Sequence, residues 1–270
     1  MKIGIFDSGL GGLITLKEIT KKLPDYNYIY LGDNARSPYG NRSAEVVYNF
    51  TLQAVDFLFK QDCQLIIIAC NTATAAALRK LQQEYLPAHY SDRRILGVTR
   101  PLAEKAALIC QGKMGVMGTK GTINSSVFNK ELEKLGFKNE IISVAAPLLV
   151  PIIEDGEAND VVINEILSKY LAPFKKAEID TLILGCTHYP ILISEIQKIM
   201  GDKVEVINSG EVIAESLADY LFRHPEFASS EPKAPGLGPR FCVTDLSEHY
   251  QQLGEQWFGK DIKFEKINLE

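Results

Sequence analysis

The sequence predicts an α/β protein of two pseudo-symmetric, doubly wound domains with mostly parallel sheets and an active-site cleft between them. Three observations carry this expectation. At 270 residues the chain exceeds the usual single-domain size of about 100–200 residues. Short apolar runs alternate with helix-like stretches, the signature of strands joined by crossover helices. Several runs are apolar nearly throughout, as strands covered by helices on both faces must be.

Taken in order, strands are expected at 2–6, 28–31, 65–69, 114–117, 140–144, 181–184, 204–207 and 240–244. Two strand-end turns recur in the same order and at nearly the same spacing. IGIFDSGLGG (3–12) is echoed by MGVMGTKGTI (114–123), and LIIIACNTAT (65–74) by LILGCTHYP (182–190). The echo suggests two related halves: a first domain at 1–96 plus 209–270 and a second at 97–208. The stretch 87–94, with Pro, His, Ser and paired Arg, reads as a surface loop. The segment 231–239, with its prolines and glycines, is the loosest part of the chain.

Composition narrows the function. Apolar residues make up 46% of the chain and charged residues 23%, which fits a soluble globular protein with a sizeable core. The net charge of -5, spread without long runs, leaves no electrostatic footprint for nucleic acid. No apolar run approaches the roughly 20 residues of a membrane span, and the opening MKIGIFDSGL is too polar for a signal peptide. An odd set of five cysteines without a C-x-x-C pair argues for reduced thiols in the cytoplasm, against a disulfide framework or a zinc ribbon. No metal site is expected.

Two cysteines stand apart. Cys70 follows a strand and precedes Asn71 and Thr72, favoured caps ahead of a helical run. Cys186 repeats the arrangement before Thr187, His188, Tyr189 and Pro190. Each thiol is therefore expected at a helix N-terminus, where amides and the dipole lower a pKa that starts near about 8.5. A strand-end cysteine is commonly just a small packed hydrophobe, but two in matching contexts favour chemistry. Cys63, Cys110 and Cys242 lack such neighbours and carry no role.

The loops around them suit a small anion or zwitterion. The turn at 6–12 offers glycines whose amides can approach a carboxylate or phosphate. It departs from the dinucleotide G-x-G-x-x-G pattern at Ile14, although Asp33 is spaced like a ribose-binding acid. Asp7 is either a base partner or a turn cap, and Ser8 shares the ambiguity. Pro38, Tyr39 and Gly40 read as a turn with an aromatic lid, while Thr119 and Thr122 supply hydroxyls in the echoing turn. Glu154 is a helix-end charge or an acid facing the cleft. His188, two residues past Cys186, polarises the substrate or is the thiol's partner, against a capping or surface role.

The ordered blocks FDSGLGG (6–12), GDNARSPYG (32–40), ACNTAT (69–74), GTKGTINS (118–125), PLLVPIIE (147–154) and LGCTHYP (184–190) resemble the signatures of bacterial glutamate racemases. The resemblance implies paired α/β domains, no pyridoxal phosphate or other cofactor, and interconversion of L- and D-glutamate for peptidoglycan. It implies that Cys70 acts on D-glutamate and Cys186 on L-glutamate, assisted by Asp7, Asp33, Glu154 and His188. Substrate contacts would be Ser8, Asp33, Pro38, Tyr39, Gly40, Asn71, Thr72, Thr119, Thr122 and Thr187, and a homodimer is expected from the family. The segment at 97–101 departs from the family pattern, with Arg100 where an acid is common before the proline.

Racemisation without a cofactor must remove a weakly acidic α-proton and return one to the other face, so two bases on opposite sides suffice. The competing readings are an aspartate or other amino-acid racemase with a shorter pocket, a non-catalytic binding module, and a nucleotide-dependent enzyme using residues 9–12.

Overall fold

The computed structural model describes residues 1–156, 161–227 and 238–269, so most of the segment 231–239 lies outside the described residues. Ten strands are present: β1 (Lys2–Asp7), β2 (Asn27–Gly32), β3 (Leu65–Ile68), β4 (Arg94–Gly97), β5 (Lys113–Gly118), β6 (Ile141–Ala145), β7 (Ile179–Gly185), β8 (Glu205–Ile207), β9 (Arg240–Val243) and β10 (Phe264–Lys266). They form two parallel sheets, a six-stranded one in the order β10-β9-β2-β1-β3-β4 and a four-stranded one in the order β6-β5-β7-β8. The run β2-β1-β3-β4 has the same sequential pattern as β6-β5-β7-β8. The echoed turns therefore occupy equivalent places at the strand ends of the two sheets.

Register fixes which loops meet. Asp7 pairs with Gly32 and Phe6 with Ile68, so the turns after β1, β2 and β3 leave one edge together. Gly118 pairs with Gly185 and with Ala145, which does the same for the turns after β5, β6 and β7. Ligands in parallel α/β sheets bind at such carboxyl edges. A single apolar cluster contains Ile3 and Ile67 from one sheet and Met117 and Leu184 from the other, so a shared core sets how the two edges stand.

One expectation needs correction. The stretch 87–94 is not simply a loop, because a π-helical turn Leu81–Tyr85 runs into the helix Leu86–His89. Buried Leu81 and Leu86 hold it to the core, and Arg94 then begins β4. Arg100 also has a structural account. It bonds Glu104 at 2.6 Å and Glu131 at 3.3 Å, and Glu131 is shared with Arg79 and Lys134. Burial pushes the Glu131 carboxyl up, but these cations together hold it below its ordinary range. Among the described residues, no helix is long and apolar enough to cross a membrane.

Gly32 shows how tightly the strand-end turns are packed. A Cβ there would lie 2.5 Å from the Gly9 carbonyl oxygen, which also accepts a 2.7 Å bond from the Tyr30 hydroxyl. Backbone pinned in this way cannot yield cheaply. Gly32→Ala is expected to lower unfolding free energy by about 1–3 kcal/mol, read as a lower urea midpoint at unchanged slope.

Candidate active site

Cys70 is the N-cap of the helix Asn71–Lys80, and its Sγ accepts a 3.4 Å bond from the Ala73 amide. The helix starts where expected, with Cys70 itself rather than Asn71 or Thr72 as the cap, yet the expected thiol acidity is not present. Burial pushes the Cys70 thiol up, to about 12, and the Asp7 carboxylate adds to this. The Ser8 hydroxyl and the Ala73 amide pull the other way and lose. Desolvation of a thiolate outweighs one amide and a partial dipole when no cation is near. Burial also raises the other buried thiols, Cys63 to about 12 and Cys110 and Cys242 to about 11, so Cys70 is distinguished by its neighbours rather than its acidity. All five cysteines are free.

Cys186 departs from its echo. It follows β7, but the chain next forms a 3-10 turn, Tyr189–Leu192, before the helix Ile193–Met200 begins. Pro190 suits the first positions of that turn. A side chain takes the place of the helix terminus: His188 Nδ1 lies 3.9 Å from Cys186 Sγ. On its other side, His188 Nε2 is 2.9 Å from Glu154 Oε1, and the Trp257 ring stands edge-on with centroids 5.6 Å apart. Burial alone would pull the imidazole pKa down. The bonds to Cys186 and Glu154 win, holding it at about 10.

Both sulfurs line one cavity of about 30 Å³. Ser8, Pro38, Tyr39, Gly40, Asn71, Thr72, Thr119, Thr187 and His188 line it with them. The Asn71 Oδ1 is buried and has no hydrogen-bond partner. A buried acceptor left this way is costly unless a ligand supplies the donor. Three hydroxyls close one wall across the two sheets, with Thr72 2.8 Å from Thr119 and 3.2 Å from Thr122, and Thr119 3.1 Å from Thr122.

Four expected contacts sit behind this lining. Asp7 is fully buried under the first turn, where its carboxylate accepts from the Gly9 amide at 3.1 Å and the Thr187 hydroxyl at 3.3 Å. Burial raises its carboxyl pKa against the opposing charge of His188. Asp33 lies behind the wall, where Tyr39 and Arg36 bond one carboxylate oxygen and Thr244 the other. Thr122 reaches the lining only through Thr72 and Thr119. Glu154 stands behind His188, and its carbonyl accepts a 2.6 Å bond from His249.

Ser37, Val150 and Gly185 also line the cavity and escaped the sequence reading. Ser37 lies inside the ARSPYG block, so its signal was available, whereas Val150 sits in an ordinary apolar run. Trp257 and Thr244 come from the last part of the chain, where no motif pointed to them. Among the described residues, no three His, Cys, Asp or Glu side chains gather as a metal-ligand set.

Gly11 leaves the room that Thr187 and His188 occupy. A Cβ there would lie 2.5 Å from His188 Nδ1 and 2.6 Å from Thr187 Oγ1. With the imidazole held by Glu154 and Trp257, Gly11→Ala is expected to displace it and reduce turnover at this site by about 10²-fold. The check is a rate assay beside an unchanged far-UV spectrum.

This arrangement of two thiols, a bonded imidazole and carboxylate, and amide and hydroxyl donors can exchange a proton at a bound carbon acid. Comparison with known proteins agrees. A curated glutamate racemase of Geobacter metallireducens is 39% identical over 259 residues, covering 95% of this chain and 92% of its own. The crystal structure of a glutamate racemase isoform of Bacillus anthracis superposes with a TM-score of 0.90 at 36% identity, covering 99% of this chain and 97% of that one. A glutamate racemase of Francisella tularensis in complex with D-glutamate gives 0.89 at 32% identity, covering 100% and 98%. Residues 12–217 match the Asp/Glu/Hydantoin racemase family model, and with that span and those relatives the chain belongs to this racemase family.

Proposed function

We propose that this protein is a glutamate racemase that interconverts L- and D-glutamate without a cofactor, using Cys70 and Cys186 as the two bases. One observation carries the reading: a sulfur from the carboxyl edge of each sheet lines the same cavity. Asn71 Oδ1, an acceptor without a partner, suits the substrate ammonium. The hydroxyls of Ser8, Thr72, Thr119 and Thr187, with neighbouring amides, suit its two carboxylates.

In the L-to-D direction, Cys186 as thiolate takes the α-proton while Cys70, held as a thiol by burial and Asp7, gives its proton to the opposite face. His188, protonated and bonded to Glu154, faces the Cys186 sulfur and stabilises its anionic form. After turnover the protonation states of the two sulfurs are exchanged. In the reverse direction each group plays the other part. Asp7 holds the turn around Ser8 and Gly9, and Asp33 fixes Tyr39 in the wall. Supplying D-glutamate for peptidoglycan, in the cytoplasm and as a homodimer, is the physiological side of the same proposal and rests on family membership.

The test is incubation of the purified, reduced chain with L-glutamate in deuterated water. Loss of optical rotation with one deuterium entering Cα per inversion is expected, and no exchange at Cα would overturn the reading. Faster exchange with aspartate than with glutamate would instead favour the aspartate racemase alternative.

A further inference from the structure

The cavity holding the two sulfurs, about 30 Å³, shares Gly40 and Thr72 with a larger outer pocket of about 520 Å³. The hydroxyl cluster of Thr72, Thr119 and Thr122 lies beside this boundary. Two cations line the outer pocket, one from each side of the boundary. Arg42 follows the short turn Tyr39–Asn41 of the six-stranded half, and Lys120 begins the helix Lys120–Asn124 after β5 of the four-stranded sheet. Arg42 donates a 3.4 Å bond to the Arg36 carbonyl. Among the described residues neither cation forms an ion pair, and the pocket lining contains no Asp or Glu. The chain as a whole is acidic, with 34 Asp and Glu against 29 Lys and Arg, so a cationic pocket without carboxylates runs against its average.

The inner cavity has the opposite character. Its lining offers amides, hydroxyls, thiols and an imidazole but no Lys or Arg. An anionic amino acid approaching it from solvent would meet a negatively charged molecule whose inner cavity offers one cation, the His188 imidazolium, already paired with Glu154. We propose that the outer pocket is an antechamber for the substrate, in which Arg42 and Lys120 attract the dicarboxylate amino acid before it passes the Thr72–Thr119 wall. This rests on the glutamate racemase reading. A field from both cations lowers the free energy of an anion in the antechamber and in the adjoining cavity, which lies well within reach of weakly screened charges. Neither cation touches the reacting carbon, so the chemical step is left alone.

The experiment compares the whole chain with R42Q/K120Q, R42E/K120E and the charge-preserving R42K/K120R. KM and kcat are measured for both enantiomers of glutamate at about 20 and about 300 mM NaCl, a range that shortens the Debye length severalfold. Removing both charges is expected to raise KM on the order of three- to tenfold for either enantiomer at low salt, with kcat within about twofold. Charge reversal should raise KM further, and R42K/K120R should behave as wild type. Wild-type KM should climb with salt while that of R42Q/K120Q stays nearly flat. A wild-type chain that racemises glutamate while R42Q/K120Q keeps its KM and salt response would overturn the antechamber alone. A loss confined to kcat would overturn it too. A wild-type chain that leaves glutamate unchanged would overturn both the antechamber and the reading beneath it.

Discussion

Replacing either Cys70 or Cys186 by alanine is expected to reduce glutamate racemisation by roughly 10²–10⁴-fold, the range for removing a positioned acid–base group. The fold should survive, since each change trims a small side chain from a packed wall. The two enantiomers have equal free energies in water, so kcat/KM must be the same in both directions for any variant. Directional roles therefore have to be sought in exchange and isotope effects. In Cys186→Ala, any deuterium exchange that persists should be confined to D-glutamate, because Cys70 can still remove and return a proton on its own face. Cys70→Ala should show the converse with L-glutamate. With serine in place of Cys70, the Cα-deuterium isotope effect should grow when D-glutamate is the substrate, since a poorer base makes that proton transfer limiting. Full turnover in either alanine variant would falsify the two-base assignment.

Strand positions were legible because a strand buried on both faces must be apolar along its length. The runs at 2–6, 65–69 and 181–184 lie within a residue or two of β1, β3 and β7. β4 and β10 were missed for the complementary reason. β4 offers two apolar residues between Arg94 and Gly97, and β10 is a three-residue edge strand, Phe-Glu-Lys, with little to bury. At the site, local chemistry was readable and distant contact was not. Asn71 and Thr72 announced a helix start after Cys70, but nothing near Cys70 in sequence disclosed that the thiol itself would cap it or that burial and Asp7 would raise its pKa. The same limit explains Asp33. Its place at the end of β2 suggested a ligand contact, while the groups that occupy its carboxylate include Thr244, more than two hundred residues away.

The second large effect concerns His188, whose exchange for asparagine should lower kcat by about 10²–10⁴-fold. Asparagine retains bulk and a hydrogen-bonding group but cannot carry the positive charge beside Cys186. The pH dependence of stability follows from the same contacts. His188 is raised from its ordinary 6.5 to about 10: burial disfavours the charged ring, but the bonds to Cys186 and Glu154 prevail. A group whose pKa is higher folded than unfolded holds its proton more tightly when folded. Its contribution is fully present below about pH 6.5 and is lost as pH rises through about 10, an amount on the order of a few kcal/mol. Glu154→Gln keeps an acceptor near Nε2 and removes the charge. It should lower stability at pH 6 by about 1–3 kcal/mol and leave it little changed above pH 10, where the wild-type imidazole is already neutral. Urea melts across this range provide the measurement, and a stability difference that stayed constant with pH would show that Glu154 acts by packing rather than by holding the proton on His188.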